Sequence, residues 1–210
     1  MLGSYTIKVN TSGMPQALAS GFDKLFEGMT GASYEFLSYL GSKVTNGINH
    51  AILAEQRLIV AKDVRSIVLI VVNQKPEDIK GENLSIVDIR TLVSDGGQKM
   101  GGLNISPTTD IPAEIMEVFN KHFNGFLGSN IKPIALLATR VVNGMEYTFA
   151  VESEMVINKN SVQSSNNVSI NIVRIYSNYN EIKFEEVISG SKDGEGLLEG
   201  TASEIKDLWP

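Results

Sequence analysis

The sequence predicts an α+β protein built as two tandem modules, each one helix packed on a four-stranded antiparallel sheet. Three observations predict it. The chain repeats itself: residues 14–47 align without a gap on residues 111–144, and ten of those 34 positions are identical. Each copy opens with apolar residues at helical spacing. Each then reaches an Asn-Gly pair between runs of alternating large side chains, the signal of a tight hairpin. The shared residues are Pro15 with Pro112, Phe22 with Phe119, Lys24 with Lys121, Phe26 with Phe123, Gly28 with Gly125, Gly31 with Gly128, Leu40 with Leu137, Val44 with Val141, Asn46 with Asn143 and Gly47 with Gly144. They mark a helix face, a helix stop and a turn, where a repeated fold fixes residue type.

Residues 1–95 form the first module. Alternation at Tyr5, Ile7 and Val9 predicts a short strand or extended arm. A helix follows, with Ser12 or Gly13 as cap, Pro15 in its first turn and a stripe of Leu18, Phe22, Leu25, Phe26 and Met29. Gly28 and Gly31 stop it, and an extended segment around residues 34–40 leads into the Asn46-Gly47 turn, where positive φ is expected. Residues 49–61 continue as a strand. After a Lys62-Asp63 turn comes a strand over 65–73, whose run from Ile67 to Val72 is β-branched, buried in character and far too short to span a bilayer. A loop over 74–83, with Pro76 and Gly81, precedes the last strand, 84–93.

The glycine-rich segment 94–106 separates the modules, and residues 96–190 form the second. Its helix carries Ile115, Phe119, Phe123 and Phe126, and strands are expected over 145–158, 168–177 and 181–188, with a polar, mobile loop over 159–167. Residues 191–210 are an acidic tail. Asp193, Glu195, Glu199, Glu204 and Asp207 outnumber Lys192 and Lys206, and Thr201 and Glu204 have capping-box spacing ahead of Ile205, Leu208 and Trp209. This is the pattern of a tail helix that docks on a partner through Leu208 and Trp209, or of a tail that packs on its own domain or stays loose.

A net charge of −6, with no dense run among 18 basic residues, argues against nucleic acid as partner. There is no cysteine, so disulfides, thiol nucleophiles and thiolate metal sites are excluded. The amino terminus shows no basic region followed by an apolar core, so the expected location is the cytoplasm or an assembled particle, with no signal peptide and no membrane contact. His50 and His122 lie in different copies, and His122 matches Leu25. Glu55 and Glu152 match each other and are expected on the solvent face of a strand. No triad, metal-ligand or phosphate-loop pattern appears, so neither catalysis nor a cofactor or metal is expected.

The second copy resembles the cystatins, in particular the small intracellular stefins. Met100-Gly101-Gly102-Leu103 resembles their glycine-bearing trunk, residues 110–126 their helix, and Arg140-Val141-Val142-Asn143-Gly144 their Gln-x-Val-x-Gly hairpin loop. The first copy resembles it through Lys43-Val44-Thr45-Asn46-Gly47. The resemblance implies a helix wrapped by a twisted antiparallel sheet, and inhibition of papain-like cysteine proteases by a wedge carried here on Gly102, Val142 and Gly144. The loop glutamine is replaced by Arg140 and Lys43, and the second hairpins read Gln74-Lys75-Pro76-Glu77 and Ser177-Asn178-Tyr179-Asn180 where the family has Pro-Trp.

The sequence therefore points first to a non-enzymatic, protein-binding or homo-oligomeric assembly protein, such as a component of a phage particle or another multi-subunit complex. Its expected contact residues are Gly101, Gly102, Leu103, Arg140, Val141, Val142, Asn143, Gly144, Lys43, Val44, Asn46, Gly47, Leu208 and Trp209. Cystatin-type protease inhibition is the alternative.

Overall fold

In the computed structural model the described residues are 4–59, 63–96, 102–125, 128–155, 167–178, 182–187 and 198–202. The chain divides into two compact units, Met1–Gly97 with Ala202–Pro210, and Gln98–Thr201. The first contains β1 (Tyr5–Asn10), α1 (Gln16–Phe26), β2 (Ala32–Thr45), β3 (Gly47–Leu58), β4 (Val64–Gln74) and β5 (Leu84–Ser94). Its strands form an antiparallel meander in the order β5-β4-β3-β2-β1. The second contains β6 (Asn104–Thr108), α2 (Ala113–Phe123), β7 (Ser129–Val142), β8 (Gly144–Met155), β9 (Asn167–Ser177), β10 (Ile182–Val187) and, up to Thr201, β11 (Leu198–Ala202). Here β6-β7-β8-β9 run antiparallel, and β10 and β11 both pair with β9, at Val173–Ser177 and Asn167–Ile170 respectively.

The expected pair of α+β modules, each one helix on a four-stranded sheet, is overturned: most of the described residues are strand, and the two helices are only 11 residues each. An unpaired strand edge accepts extended chain lying beside it. So β1 adds to the edge of β2, and the segment read as a linker adds to β7 as β6. The carboxy-terminal region does the same. Thr201, expected to cap a tail helix, sits in β11 opposite Asn167, and Asn167 itself opens β9 where a loop was expected. Loop residues 159–166 and tail residues 203–210 lie outside the described residues.

Each helix nevertheless covers one face of its sheet. Leu18 and Phe22 of α1 pack with Tyr39, Ile52, Ala54, Val68, Ile70 and Val72. In the second unit Phe119 packs with Leu136, Phe149, Val151, Val173 and Ile175, its ring 5.1 Å from that of Phe149 in an edge contact. Side chains alternate along a strand, so Ala51, Leu53, Ile67 and Leu69 point to the face away from α1, and they are buried too. Burial on both faces explains why the run from Ile67 to Val72 is continuously apolar. Phe126, expected on the helix face, lies outside the described residues.

Neither helix uses a side-chain cap. Pro15 and Pro112 occupy the N-cap positions, so the expected cap at Ser12 or Gly13 is not formed. The repeat reaches below the level of whole elements. The β2–β3 ladder is bulged between Phe36 and Ser38 and between Tyr39 and Gly41, and the β7–β8 ladder between Pro133 and Ala135 and between Leu136 and Ala138, which are the same places in the repeat. Bulges raise local twist and curl the sheet around its helix. Pro133 is tolerated inside a strand because a bulge removes the need for its missing N–H.

Candidate functional site

The first hairpin closes as tightly as a ladder allows. Thr45 pairs with Gly47 and leaves Asn46 alone at the apex. Gly47 has φ +108°, and a Cβ there would stand 2.3 Å from the main-chain oxygen of Gln74. Positive φ and close approach therefore both select glycine. Asn46 is different: no non-glycine residue among those described has positive φ, so the positive φ expected of the turn is carried by Gly47. Beside the apex, Asn73 Nδ2 donates to Asn49 Oδ1 at 2.7 Å and ties β4 to the turn.

Val44 and Ile48 face each other across this turn and are exposed, Val44 at 72%. Ile48 precedes His50 and Ile52 at alternate positions, which sets the pair on the helix-covered face but beyond the helix. The β4–β5 loop returns to the same end of the sheet. Asp78 accepts hydrogen bonds from the main-chain N–H groups of Glu82 (3.1 Å) and Asn83 (2.8 Å), and Gln74 Nε2 donates to the Asp78 main-chain oxygen at 2.6 Å. The loop so held presents Ile79, 87% exposed. Its Gly81 packs on α1 so closely that a Cβ on Gly21 would stand 1.9 Å from the Gly81 oxygen. Sequence reasoning missed Ile48 and Ile79. The available signal was an isoleucine between Asp78 and Lys80 in an otherwise polar loop.

The second unit repeats the arrangement. Val142 pairs with Gly144 around Asn143, and Val141 faces Met145 at the positions of Val44 and Ile48. Val141 is 72% exposed. Gly144 has φ +133°, and a Cβ there would meet the Ser177 oxygen at 2.5 Å. The Tyr176 hydroxyl donates to the Asn143 main-chain oxygen, and Asn178 Nδ2 donates to that hydroxyl at 2.9 Å. Asn104 pairs with Thr139, so the chain carrying Gly102 and Leu103 enters β6 beside the Arg140 end of β7. Gly101, Leu208 and Trp209 lie outside the described residues.

The two basic residues expected at the tips point elsewhere. Arg140 donates from Nε to Glu146 Oε2 at 2.7 Å and from a terminal nitrogen to Oε1 at 2.6 Å, and Arg174 Nε lies 3.6 Å from the same carboxylate. Glu146 is 2% exposed. A carboxylate so desolvated needs both charges, and it holds Arg140 against the sheet. Lys43 Nζ lies 5.8 Å from the centre of the Tyr5 ring, over β1.

The first unit has its own buried carboxylate. Glu55, expected on the solvent face, is only 3% exposed and accepts from Arg65 Nε at 2.6 Å and Arg57 Nε at 2.9 Å. Burial pushes its pKa up, but the hydrogen bonds from Arg65 and Arg57 outweigh that and hold it below the usual carboxylate range. Glu152, its counterpart, is half-buried. His50 is enclosed in the same way. Gln74 gives its N–H to a carbonyl, so its oxygen faces His50 Nε2 at 3.1 Å and must accept. Nε2 thus carries the proton, and Nδ1 accepts from the Tyr39 hydroxyl at 3.0 Å. Burial lowers the His50 pKa and raises that of Tyr39 to about 12. Both groups serve internal packing.

Among the described residues no group of three or more His, Asp or Glu could hold a metal ion, and no helix is long and apolar enough to cross a membrane. No family model, curated protein or solved structure matches the chain.

Proposed function

We propose that this protein acts by binding another protein, without chemistry of its own, through the tips of the β2–β3 and β7–β8 hairpins. One observation carries the reading: in each unit the cross-strand pair beside the Asn-Gly turn leaves a valine 72% exposed, at Val44 and at Val141, on a turn fixed by glycine. Apolar side chains held rigidly at a tip lose little conformational freedom on docking, so their burial converts efficiently into affinity. The titratable groups of the interior, Glu55, Glu146 and His50, are engaged in internal hydrogen bonds. A chain with two such tips can engage two partner sites, which suits a component of an assembly such as a phage particle.

The test is site-specific photo-cross-linking in cells that make the protein. Photoreactive residues replace Val44, Val141 and, as an exposed control on strand β5, Val87. Adducts of defined mass at Val44 and Val141, with a partner or a second copy, support the reading; equal yields at Val87 overturn it.

Protease inhibition is the second reading, favoured by the entry of Gly102 and Leu103 beside the tip that bears Val142 and Gly144. Titrating papain-family proteases decides it. Val142→Glu is the suitable control, because Gly144→Glu distorts the turn at a positive φ. Submicromolar inhibition lost in Val142→Glu establishes an inhibitor. No inhibition near millimolar protein, the weak end of measurable affinity, removes it.

A further inference from the structure

The glycine and the asparagine of each tip have different standing. Gly47 and Gly144 are required by positive φ and by neighbouring carbonyls. Asn46 and Asn143 are not: neither has positive φ, and among the described residues neither carboxamide takes part in a hydrogen bond. Their hydrogen bonds run to the main-chain oxygens instead. At the helix ends the repeat behaves otherwise, since Gly28 matches Gly125 while Glu27 stands where the second copy has Asn124. There only the glycine recurs. At the tips the asparagine recurs as well, without a backbone reason.

An exposed asparagine followed by glycine is a reactive pair. With no Cβ on the glycine, its main-chain nitrogen reaches the preceding side chain. The Gly47 nitrogen loses its proton and attacks Asn46 Cγ; the new C–N bond closes a five-membered imide, and the carboxamide nitrogen leaves as ammonia. Water then adds to one ring carbonyl and breaks its bond to nitrogen, giving aspartate, or isoaspartate if the main-chain carbonyl is the one opened. The same steps apply to Asn143 and Gly144, and water is the only co-reactant. Each event puts a carboxylate at an apex beside exposed Val44 or Val141, and two events make the chain more negative than its present −6 by two charges.

We propose that Asn46 and Asn143 are spontaneous deamidation sites and that the charge formed at each apex limits the lifetime of the docking surface; the second half rests on the protein-binding reading above. Burying a new carboxylate against an apolar partner surface is unfavourable unless it is paired.

The intact protein is incubated in mildly alkaline and in mildly acidic buffer, and its peptides are followed by mass and by isoaspartyl methyltransferase labelling. Asn46 and Asn143 are expected to gain one mass unit and to become methyl acceptors, faster in alkaline buffer. Exposed Asn83 and Asn104, followed by Leu84 and Ile105, should not change over the same time. Asn124, exposed and followed by Gly125, shares the chemistry but not the location. Survival of both tip asparagines while a free Asn-Gly peptide converts overturns the first half. For the second half, Asn46→Asp/Asn143→Asp is compared with Asn124→Asp in the tip cross-linking assay. A several-fold loss of adduct in the former alone supports it, and unchanged yield overturns the regulation while leaving docking intact. If the unmodified protein forms no tip-specific adduct, the docking reading and with it the second half fall, whereas the peptide chemistry stands.

Discussion

Replacing Gly47 with alanine while leaving Asn46 in place separates the two residues of the first turn. Alanine at φ +108° is strained by about 1–3 kcal/mol. Its Cβ also starts 2.3 Å from the Gln74 oxygen, so the end of β4 must move. Gln74 cannot move freely, because its side chain holds both His50 and the Asp78 turn. Forced repacking of this kind adds about 1–3 kcal/mol. Together about 2–6 kcal/mol, at about 4–8 °C per kcal/mol for a unit of this size, lowers the melting temperature of the first unit by roughly 10 °C or more. Asn46→Ala, at an exposed apex without side-chain hydrogen bonds, should stay within about 0.5 kcal/mol of the parent. Differential scanning calorimetry on both variants reads the contrast. If Asn46→Ala lowers the transition as far as Gly47→Ala, the asparagine holds the turn, and the argument that it is free of structural duty fails.

Phe119→Ala removes a fully buried ring that touches Phe123 and Phe149, and should cost about 3–5 kcal/mol in denaturant titration, whereas Phe119→Leu should cost clearly less. Glu55→Gln leaves Arg65 and Arg57 without their carboxylate; both reach solvent in part, so about 1–3 kcal/mol is expected, less than for a fully buried pair. His50 and Glu55 both shape the acid side of the stability profile. His50 has a folded pKa below its ordinary 6.5, so the unfolded chain takes up the proton first; its contribution is complete above about pH 6.5 and is lost as pH falls from there towards the folded value. Glu55 has a folded pKa below its ordinary 4.5, so its contribution is likewise present above that value and is lost as pH falls through it towards the folded one. Thermal unfolding against pH should therefore show a first decline beginning near pH 6.5 that is shallower in His50→Asn, the remainder coming from His122, whose pKa burial also lowers; a profile identical in that variant counts against a buried neutral His50.

Much of each unit was legible because local chemistry writes it. The stripe of Leu18, Phe22 and Phe26 and its counterpart through Phe119 and Phe123 announce amphipathic helices at a period no strand shares. Asn-Gly between alternating strands announces the hairpins. A short strand at β1 was legible in the alternation of Tyr5, Ile7 and Val9, but its partner was not, and β6 was read as linker: what makes β6 a strand is an open edge of β7 supplied by residues far along the chain. The bulges at Phe36 and Pro133 were hidden for the same reason, since a bulge is a property of two paired strands. Glu55 misled because alternation identifies the face a residue points to, and says nothing of whether that face meets water.

The tips divide in the same way. That two equivalent hairpins exist, where they turn and that one carries Val-x-Asn-Gly and the other Val-Val-Asn-Gly can be read along the chain, because turn geometry and side-chain period act over a few residues. Which side chains remain at the tips depends on the folded chain. Arg140 is drawn to Glu146 and Lys43 to Tyr5, leaving the valines exposed, and the β4–β5 loop brings Ile79 to the end of the sheet that bears Val44. Those outcomes depend on long-range pairing, in which a buried carboxylate needs a cation and a backbone oxygen occupies the only space a glycine leaves free.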